Sequence, residues 1–193
     1  MDRKTVQNDE AFLRQISSPV DFKKDNIMEY VKACKDYCAT HVCYALSPVQ
    51  IGIPKRLIYI KNTKESMDNN FSSEYDDSVV YVNPVVISSK GKTKFLEACE
   101  SVIRMEGDTI IYFAGEVERP YSIEVEYQDL NGNKQVKTIE GFEATVFSHE
   151  YDHLNGVLHT DKTNEVFEMK SQDMREYRSK HPYEIISIEN KVL

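Results

Sequence analysis

The chain contains no apolar segment approaching the roughly 18 to 20 consecutive residues that a membrane-spanning helix requires. Its first ten residues, MDRKTVQNDE, are polar and carry both signs of charge. They therefore resemble neither the apolar core of a signal peptide nor an Arg-rich transit peptide. We expect no membrane partner and a cytoplasmic location, with a mitochondrion or another organelle as the alternative if a presequence has been removed.

Positive charge is also in short supply. Lysine and arginine number 24, and aspartate and glutamate number 32, among the 193 residues, which gives a formal net charge of -8. Because an acidic surface repels phosphate backbones, we expect no direct nucleic-acid partner.

Cysteine is present at only four positions, and Cys34, Cys38 and Cys43 lie within ten residues of one another. This clustering differs from the spaced cysteine frameworks of small secreted proteins held together by disulfides. It favours a reducing compartment, in agreement with a cytoplasmic location.

No internal repeat divides the 193 residues, a length that suits one compact domain. We predict a single domain over residues 1–193. Residues 61–78, KNTKESMDNNFSSEYDDS, are polar and poor in aliphatic side chains. Their composition predicts a loop insertion between two strands.

Hydrophobic periodicity predicts strands in the middle of the chain and helices on either side. Asn131-Gly132, between two alternating apolar segments, predicts a β-hairpin. The predicted helices cover 26–41, 142–154 and 165–178, and the predicted strands cover 57–60, 79–82, 93–99, 121–127, 136–139 and 184–189. This arrangement favours an α+β fold in which mixed or antiparallel strands pack around the 142–154 helix.

The 142–154 helix carries the strongest chemical motif, because it contains His149, Glu150 and His153 in the pattern H-E-x-x-H. Residues four apart project from one face of a helix, so the two imidazoles can bind one metal ion. Glu150 is rotated by about 100° from His149 around the helix axis, which places its carboxylate beside the ion. There it can accept a proton from a water molecule. The motif predicts a metal-dependent hydrolase.

A catalytic site of this kind needs a third protein ligand, and two residues are candidates. His159 completes the pattern H-E-x-x-H-x-x-G-x-x-H, which resembles the metzincin proteases, where a glycine turns the chain and a third histidine reaches the ion. Cys99, fifty residues upstream at the end of a predicted strand, would supply a softer thiolate.

Three segments together favour Cys99. Residues 45–52 read ALSPVQIG, residues 97–101 read EACES, and residues 149–156 read HEYDHLNG. They resemble, in the same order, the three motifs of peptide deformylases, which are approximately GLAAPQxG, EGCLS and QHExDHLxG. The resemblance covers about residues 12 to 161, whereas the metzincin pattern accounts for one segment only.

The resemblance implies a function, which is removal of the N-formyl group from formylmethionyl peptides, including nascent chains. It implies that Cys99 joins the two histidines in holding one divalent ion, with Fe(II) the physiological metal and Zn, Co or Ni as alternatives. Glu150 would activate the attacking water. Gln50 and the backbone N–H of Glu100 would stabilise the oxyanion that forms on the formyl group.

The resemblance also implies where an N-formyl peptide binds. The peptide would lie along a strand edge, with the methionine side chain against the turns of the helix that precede His149. The residues expected to contact the substrate are Tyr44, Ala45, Phe142, Thr145 and Val146.

Charged residues around the motifs are expected to support the site. Arg119 matches an arginine of the family, and we expect it to form a structural ion pair, with Glu97 as its candidate partner. Asp152, between the two histidines, either orients a ligand or is an ordinary solvated helix residue.

Several positions depart from the family pattern close to the expected site. Ala45 and Ala98 replace glycines, Glu100 replaces a leucine, and Ser148 replaces the glutamine before the first histidine. These changes motivate one further alternative to an active deformylase: a related protein that binds metal or peptide with little or no turnover.

Overall fold

The computed structural model describes residues 3–41, 43–61 and 78–189. The loop insertion predicted at 61–78 therefore lies almost entirely outside the described residues. The α-helices are α1 (Val6–Leu13), α2 (Ile27–Thr40), α3 (Phe142–Leu154) and α4 (Ser171–Lys180). The strands are β1 (Ala45–Leu46), β2 (Leu57–Ile60), β3 (Val79–Lys90), β4 (Lys92–Glu97), β5 (Ile103–Glu106), β6 (Thr109–Arg119), β7 (Ser122–Gln128), β8 (Lys134–Glu140), β9 (Phe167–Met169) and β10 (Glu184–Ser187).

The strands form two sheets, which confirms the predicted α+β class. The first has the order β1-β2-β3-β7-β8, and the second has the order β10-β4-β6-β5, with β9 also paired to β6. Every pairing between these named strands is antiparallel. Short 3-10 helices at Pro48–Ile51 and His159–Asp161 connect the longer elements.

Helix α3 lies between the two sheets and begins and ends where the sequence predicts. Its buried Ala144, Phe147 and Leu154 belong to a hydrophobic core shared with β2, β3, β7 and β8. Its other face contacts the second sheet through Thr145 and His149, which reach Thr93 and Glu97. The chemical motif is therefore carried on a helix that is held from both sides.

Two glycines allow turns that position this helix. Gly132 has a φ of 84°, as the predicted Asn-Gly turn between β7 and β8 requires. Gly156 ends α3 with a φ of 70°, and a Cβ atom there would lie 2.1 Å from the carbonyl oxygen of Arg14. Only glycine permits both this conformation and this close contact.

The predicted helix over 165–178 is wrong in its first half. Phe167–Met169 is a strand that pairs with β6, and α4 begins only at Ser171. The β5–β6 hairpin is missing from the prediction, although Gly107 turns it with a φ of 59°. Gly107-Asp108 between apolar segments is the signal that marks this hairpin.

In the part of the chain that the structure describes, no helix has the length and apolar character needed to cross a membrane.

Candidate metal centre

Three side chains that lie far apart in sequence converge in the interior. Cys99 follows the end of β4, while His149 and His153 lie one turn apart on α3. One ligand atom from each lies within 4.8 Å of the other two. The Cys99 Sγ and His153 Nε2 atoms are 3.4 Å apart, close to the separation of two ligands around a tetrahedral ion with bonds of roughly 2.0 to 2.3 Å. One thiolate and two imidazoles form a donor set that fits a single divalent metal.

Glu97 orients the first histidine. The Glu97 Oε2 atom lies 2.8 Å from His149 Nδ1. Because a carboxylate at that distance accepts the Nδ1 proton, the Nε2 lone pair of His149 remains for a metal.

Arg119 holds Glu97 in place, which confirms the predicted ion pair. Its Nε and Nη2 atoms each donate to one Glu97 oxygen at 2.8 Å, and Nη1 donates to Asp152. The Arg119 side chain is 2% exposed. Burial opposes the charge on Glu97, but hydrogen bonds from Arg119 and His149 hold the pKa of this carboxyl well below its ordinary value. Asp152 also pairs with Lys162 at 3.0 Å, so it is part of a buried network that supports the ligands.

Glu150 directly follows His149 on α3, and its carboxylate is buried. Its Oε2 atom has no hydrogen-bond partner among the described residues. Burial raises the pKa of Glu150 above its ordinary value, because loss of solvent disfavours the charged form. A buried carboxylate with a free oxygen and a raised pKa is suited to exchanging a proton with a bound water or substrate.

The side-chain amide of Gln50 also lies next to Cys99. Its Nε2 lies 3.3 Å from Cys99 Sγ and 3.2 Å from Ser101 Oγ, and its Oε1 accepts from Ser47 N at 3.0 Å. The hydroxyl of Ser47 donates in turn to the Glu150 carbonyl at 2.8 Å. These bonds tie the 3-10 helix at Pro48–Ile51 to both Cys99 and α3.

The backbone N–H of Glu100 donates to no other group in the described part of the chain. Since Glu100 directly follows Cys99, this free donor and the Gln50 amide both lie next to Cys99. Two such donors fit a site where negative charge develops on an oxygen.

Comparison with known proteins identifies the family. The sequence model of the family described as Polypeptide deformylase matches residues 3–168. The peptide deformylase of Rhizobium meliloti is 37% identical over 150 residues, which cover 77% of this chain and 78% of that protein. The chain belongs to the peptide deformylase family. Deformylases are hydrolases that remove the N-formyl group from peptides, so the protein is an enzyme with that activity, and its family implies a divalent metal ion.

Further deformylases resemble the chain in sequence and in fold. The Finegoldia magna enzyme is 35% identical over 158 residues, covering 81% of this chain and 86% of that protein. A crystal structure of the Plasmodium falciparum enzyme superposes with a TM-score of 0.67 at 28% identity, covering 93% of this chain and 92% of that chain. A probable peptide deformylase from Synechococcus phage S-SSM7 gives a TM-score of 0.68 at 31% identity, with 84% and 99% coverage.

The residues expected to line the deformylase substrate pocket are brought together only in part. Tyr44 and Phe142 are half-buried, and their ring centroids are 6.5 Å apart. Val146 is half-buried on the same helix. Thr145 is 3% exposed and its hydroxyl lies 3.4 Å from that of Thr93, so it forms part of the interior behind the pocket. Ala45 is buried in the edge strand β1.

His159 approaches the deformylase site without joining the ligand group. Its ring centroid lies 5.6 Å from that of His149, so Gly156 does turn the chain towards the site. However, its Nε2 donates to the Phe113 carbonyl at 2.8 Å. Burial lowers the pKa of His159 to about 4, so the ring is neutral at pH 7. Among the described residues, the group that could hold a metal contains Cys99 and not His159, so the metzincin-like set of three histidines is not formed.

Two contributors to the site were missed by the sequence analysis. Arg3, near the start of the chain, contacts Glu100, and Phe113 on β6 holds His159. No local pattern marks Arg3, because its partners are distant in sequence. Phe113 belongs to the strand that the prediction omitted.

Proposed function

We propose that this deformylase hydrolyses the formamide bond of N-formylmethionyl peptides at one divalent ion held by Cys99, His149 and His153. The convergence of these three donors beside the buried carboxylate of Glu150 carries the proposal. When bound, the ion would polarise the formyl carbonyl and lower the pKa of a water molecule.

Glu150 performs the proton transfers. Its carboxylate accepts a proton from the water whose oxygen adds to the formyl carbon. The C–N bond then breaks, and Glu150 passes that proton to the departing amine, which leaves formate and a free peptide N-terminus. The unpartnered Oε2 atom and the raised pKa of Glu150 both support this role.

Gln50 and Glu100 stabilise the developing oxyanion. The N–H of Glu100 is a fixed donor next to Cys99 before substrate arrives. The Nε2 group of Gln50 donates to Cys99 and Ser101, and it turns one of these two N–H groups to the oxyanion when substrate binds. A donor of this kind contributes about 3 to 4 kcal/mol of transition-state stabilisation in other hydrolases.

The substrate backbone pairs with the free edge of β1, which ends the first sheet. Tyr44 and Ala45 then lie along the peptide. Phe142 and Val146 contact the methionine side chain, with Thr145 behind them. Aromatic rings suit this side chain because thioether sulfur packs favourably against them.

The physiological ion is Fe(II), as in the family, and Zn, Co and Ni can replace it. A thiolate with two imidazoles suits all four metals. The substrates are nascent formylmethionyl chains, and the compartment is the cytoplasm, as expected from the bacterial relatives.

Formate release tests the proposal. Anaerobic protein is loaded separately with Fe(II), Co(II), Ni(II) and Zn(II), metal content is measured, and a formyl-Met-Ala peptide is added. We expect turnover with Fe(II), Co(II) and Ni(II), and less with Zn(II). Absence of formate with every ion, on protein holding one metal per chain, would instead support a member that binds metal and peptide without turnover.

Metal content separates the two candidate third ligands. We expect Cys99→Ala to lose bound metal, because the two imidazoles that remain are one protein ligand short of a catalytic metal site. His159→Leu should keep one ion per chain, because His159 bonds to the Phe113 carbonyl instead. Elemental analysis of both variants, purified anaerobically, makes the comparison. The reverse pattern would restore the metzincin-like ligand set.

A further inference from the structure

The N-terminal segment is bound to both sides of the site. The Lys4 N–H donates to the Gln50 carbonyl at 2.8 Å, and the Val6 N–H donates to the Ser101 carbonyl at 2.8 Å. Lys4 and the first residue of α1 therefore bridge the segment that carries Gln50 and the segment that carries Cys99. This bridge places Arg3 next to Glu100.

Arg3 is held in a single position by Tyr37 of α2. Its Nε donates to Tyr37 Oη at 2.6 Å, and its Cζ atom lies 4.5 Å from the centroid of the Tyr37 ring. The Arg3 side chain is only 11% exposed. A hydrogen bond and a cation–π contact to one buried ring fix the guanidinium group more firmly than a surface ion pair would.

The fixed guanidinium of Arg3 faces Glu100, one of the residues that depart from the family pattern. Arg3 Nη2 lies 3.3 Å from Oε2 of Glu100, whose side chain is 30% exposed. Burial disfavours the charge on Arg3 and so lowers its pKa. Coulombic attraction to Cys99 and Glu100 outweighs this effect, and the pKa of the guanidinium is raised. The Arg3–Glu100 pair thus carries no net charge beside Cys99.

We propose that Arg3 is a positioning and specificity-determining residue that acts through Glu100. It holds the Glu100 side chain aside and neutralises its carboxylate, so that an acidic residue next to Cys99 imposes no preference for basic substrates. This inference rests on the proposed function, because Glu100 is assigned there as an oxyanion donor through its backbone N–H.

A double-mutant cycle tests the inference on metal-loaded enzyme. Arg3→Met, Glu100→Gln and the double variant are assayed with formyl-Met-Ala-Lys and formyl-Met-Ala-Glu, both amidated at the C-terminus. The quantity compared is the ratio of kcat/KM for the basic peptide to that for the acidic peptide. We expect Arg3→Met to raise this ratio about fivefold, Glu100→Gln to lower it, and the double variant to return near the wild-type ratio. The shift should shrink at high salt.

Matched controls separate a charge effect from a structural one. Arg3→Lys keeps the charge and should restore most of the wild-type ratio. Arg14→Met removes a second N-terminal arginine, which pairs with Glu10 and Asp161 instead, and should leave the ratio unchanged. An equal loss of kcat/KM for both peptides in Arg3→Met, with no change in the ratio, would show that Arg3 only stabilises the fold and would overturn the inference.

Failure of the proposed function gives a different result. Wild-type enzyme that releases no formate would refute the hydrolytic proposal, whatever the variants do. The role of Arg3 is then measured from the Kd values of the peptides Met-Ala-Lys and Met-Ala-Glu by calorimetry. The quantity compared is then the ratio of the two Kd values. If Arg3→Met leaves this ratio unchanged, the inference is overturned.

Discussion

Replacing Glu150 with glutamine is expected to reduce kcat/KM for formate release by about three orders of magnitude. Glutamine is nearly isosteric but cannot accept the proton of the attacking water, and general base catalysis contributes roughly 100-fold to 10,000-fold. The variant should still hold one metal ion per chain, because Glu150 lies outside the group formed by Cys99, His149 and His153. Steady-state kinetics and elemental analysis on the same preparation provide both measurements.

Glu143→Gln is the matched control for this experiment. Glu143 lies on the first turn of the same helix, and its carboxylate pairs with Lys137 at 3.3 Å. The same chemical change there should alter kcat/KM by less than about twofold, because a partly exposed ion pair contributes little. A Glu150→Gln variant with more than a tenth of wild-type activity and full metal content would show that another group carries the proton.

Arg119→Met is expected to destabilise the protein by about 3 to 5 kcal/mol, because it removes a buried cation shared by two carboxylates and leaves Glu97 without a cationic partner. Glu97 loses its two hydrogen bonds from Arg119 and keeps only the one with His149. Asp152 loses its bond from Nη1 and keeps Lys162. Urea unfolding followed by circular dichroism measures the change, with every variant in the same metal state. Metal affinity should fall by roughly tenfold to a hundredfold as well, since Arg119 no longer fixes the Glu97 carboxylate that orients His149.

Arg104→Met provides the comparison for Arg119→Met. Arg104 also forms two ion pairs, with Glu106 at 2.5 Å and Glu168 at 2.6 Å, but its side chain is 33% exposed. Water replaces its contacts, so its removal should have a far smaller effect on unfolding. Equal effects of the two substitutions would mean that burial does not strengthen the Arg119 network.

The residues of the site could be predicted to different extents, according to how local their signals are. The histidine pair and Glu150 follow from the period of one helix, because residues four apart share a face whatever surrounds them. Cys99 and Gln50 lie far from that helix in sequence. Spacing alone left Cys99 and His159 open as the third ligand, and resemblance to deformylases was needed to choose between them.

The β5–β6 hairpin was missed although its signal is local, whereas the error at 165–178 concerns a strand whose partner is distant. Phe167–Met169 becomes a strand because β6 offers it an edge more than fifty residues upstream. A helical pattern over 165–178 holds no information about that edge, so tertiary pairing overrode local preference. Thr145 shows the same effect within the site, since its burial against Thr93 depends on β4.

The sequence by itself determined the helix that carries the two histidines, the hairpin at Gly132, the acidic character of the chain and the deformylase family. These depend on residues close in sequence or on motifs in a fixed order. Only the tertiary structure decided that His159 bonds to the Phe113 carbonyl, that Asp152 also pairs with Arg119, and that Arg3 faces Glu100. The physical reason is that a buried polar group takes whichever partner the packing of distant elements brings within hydrogen-bond reach.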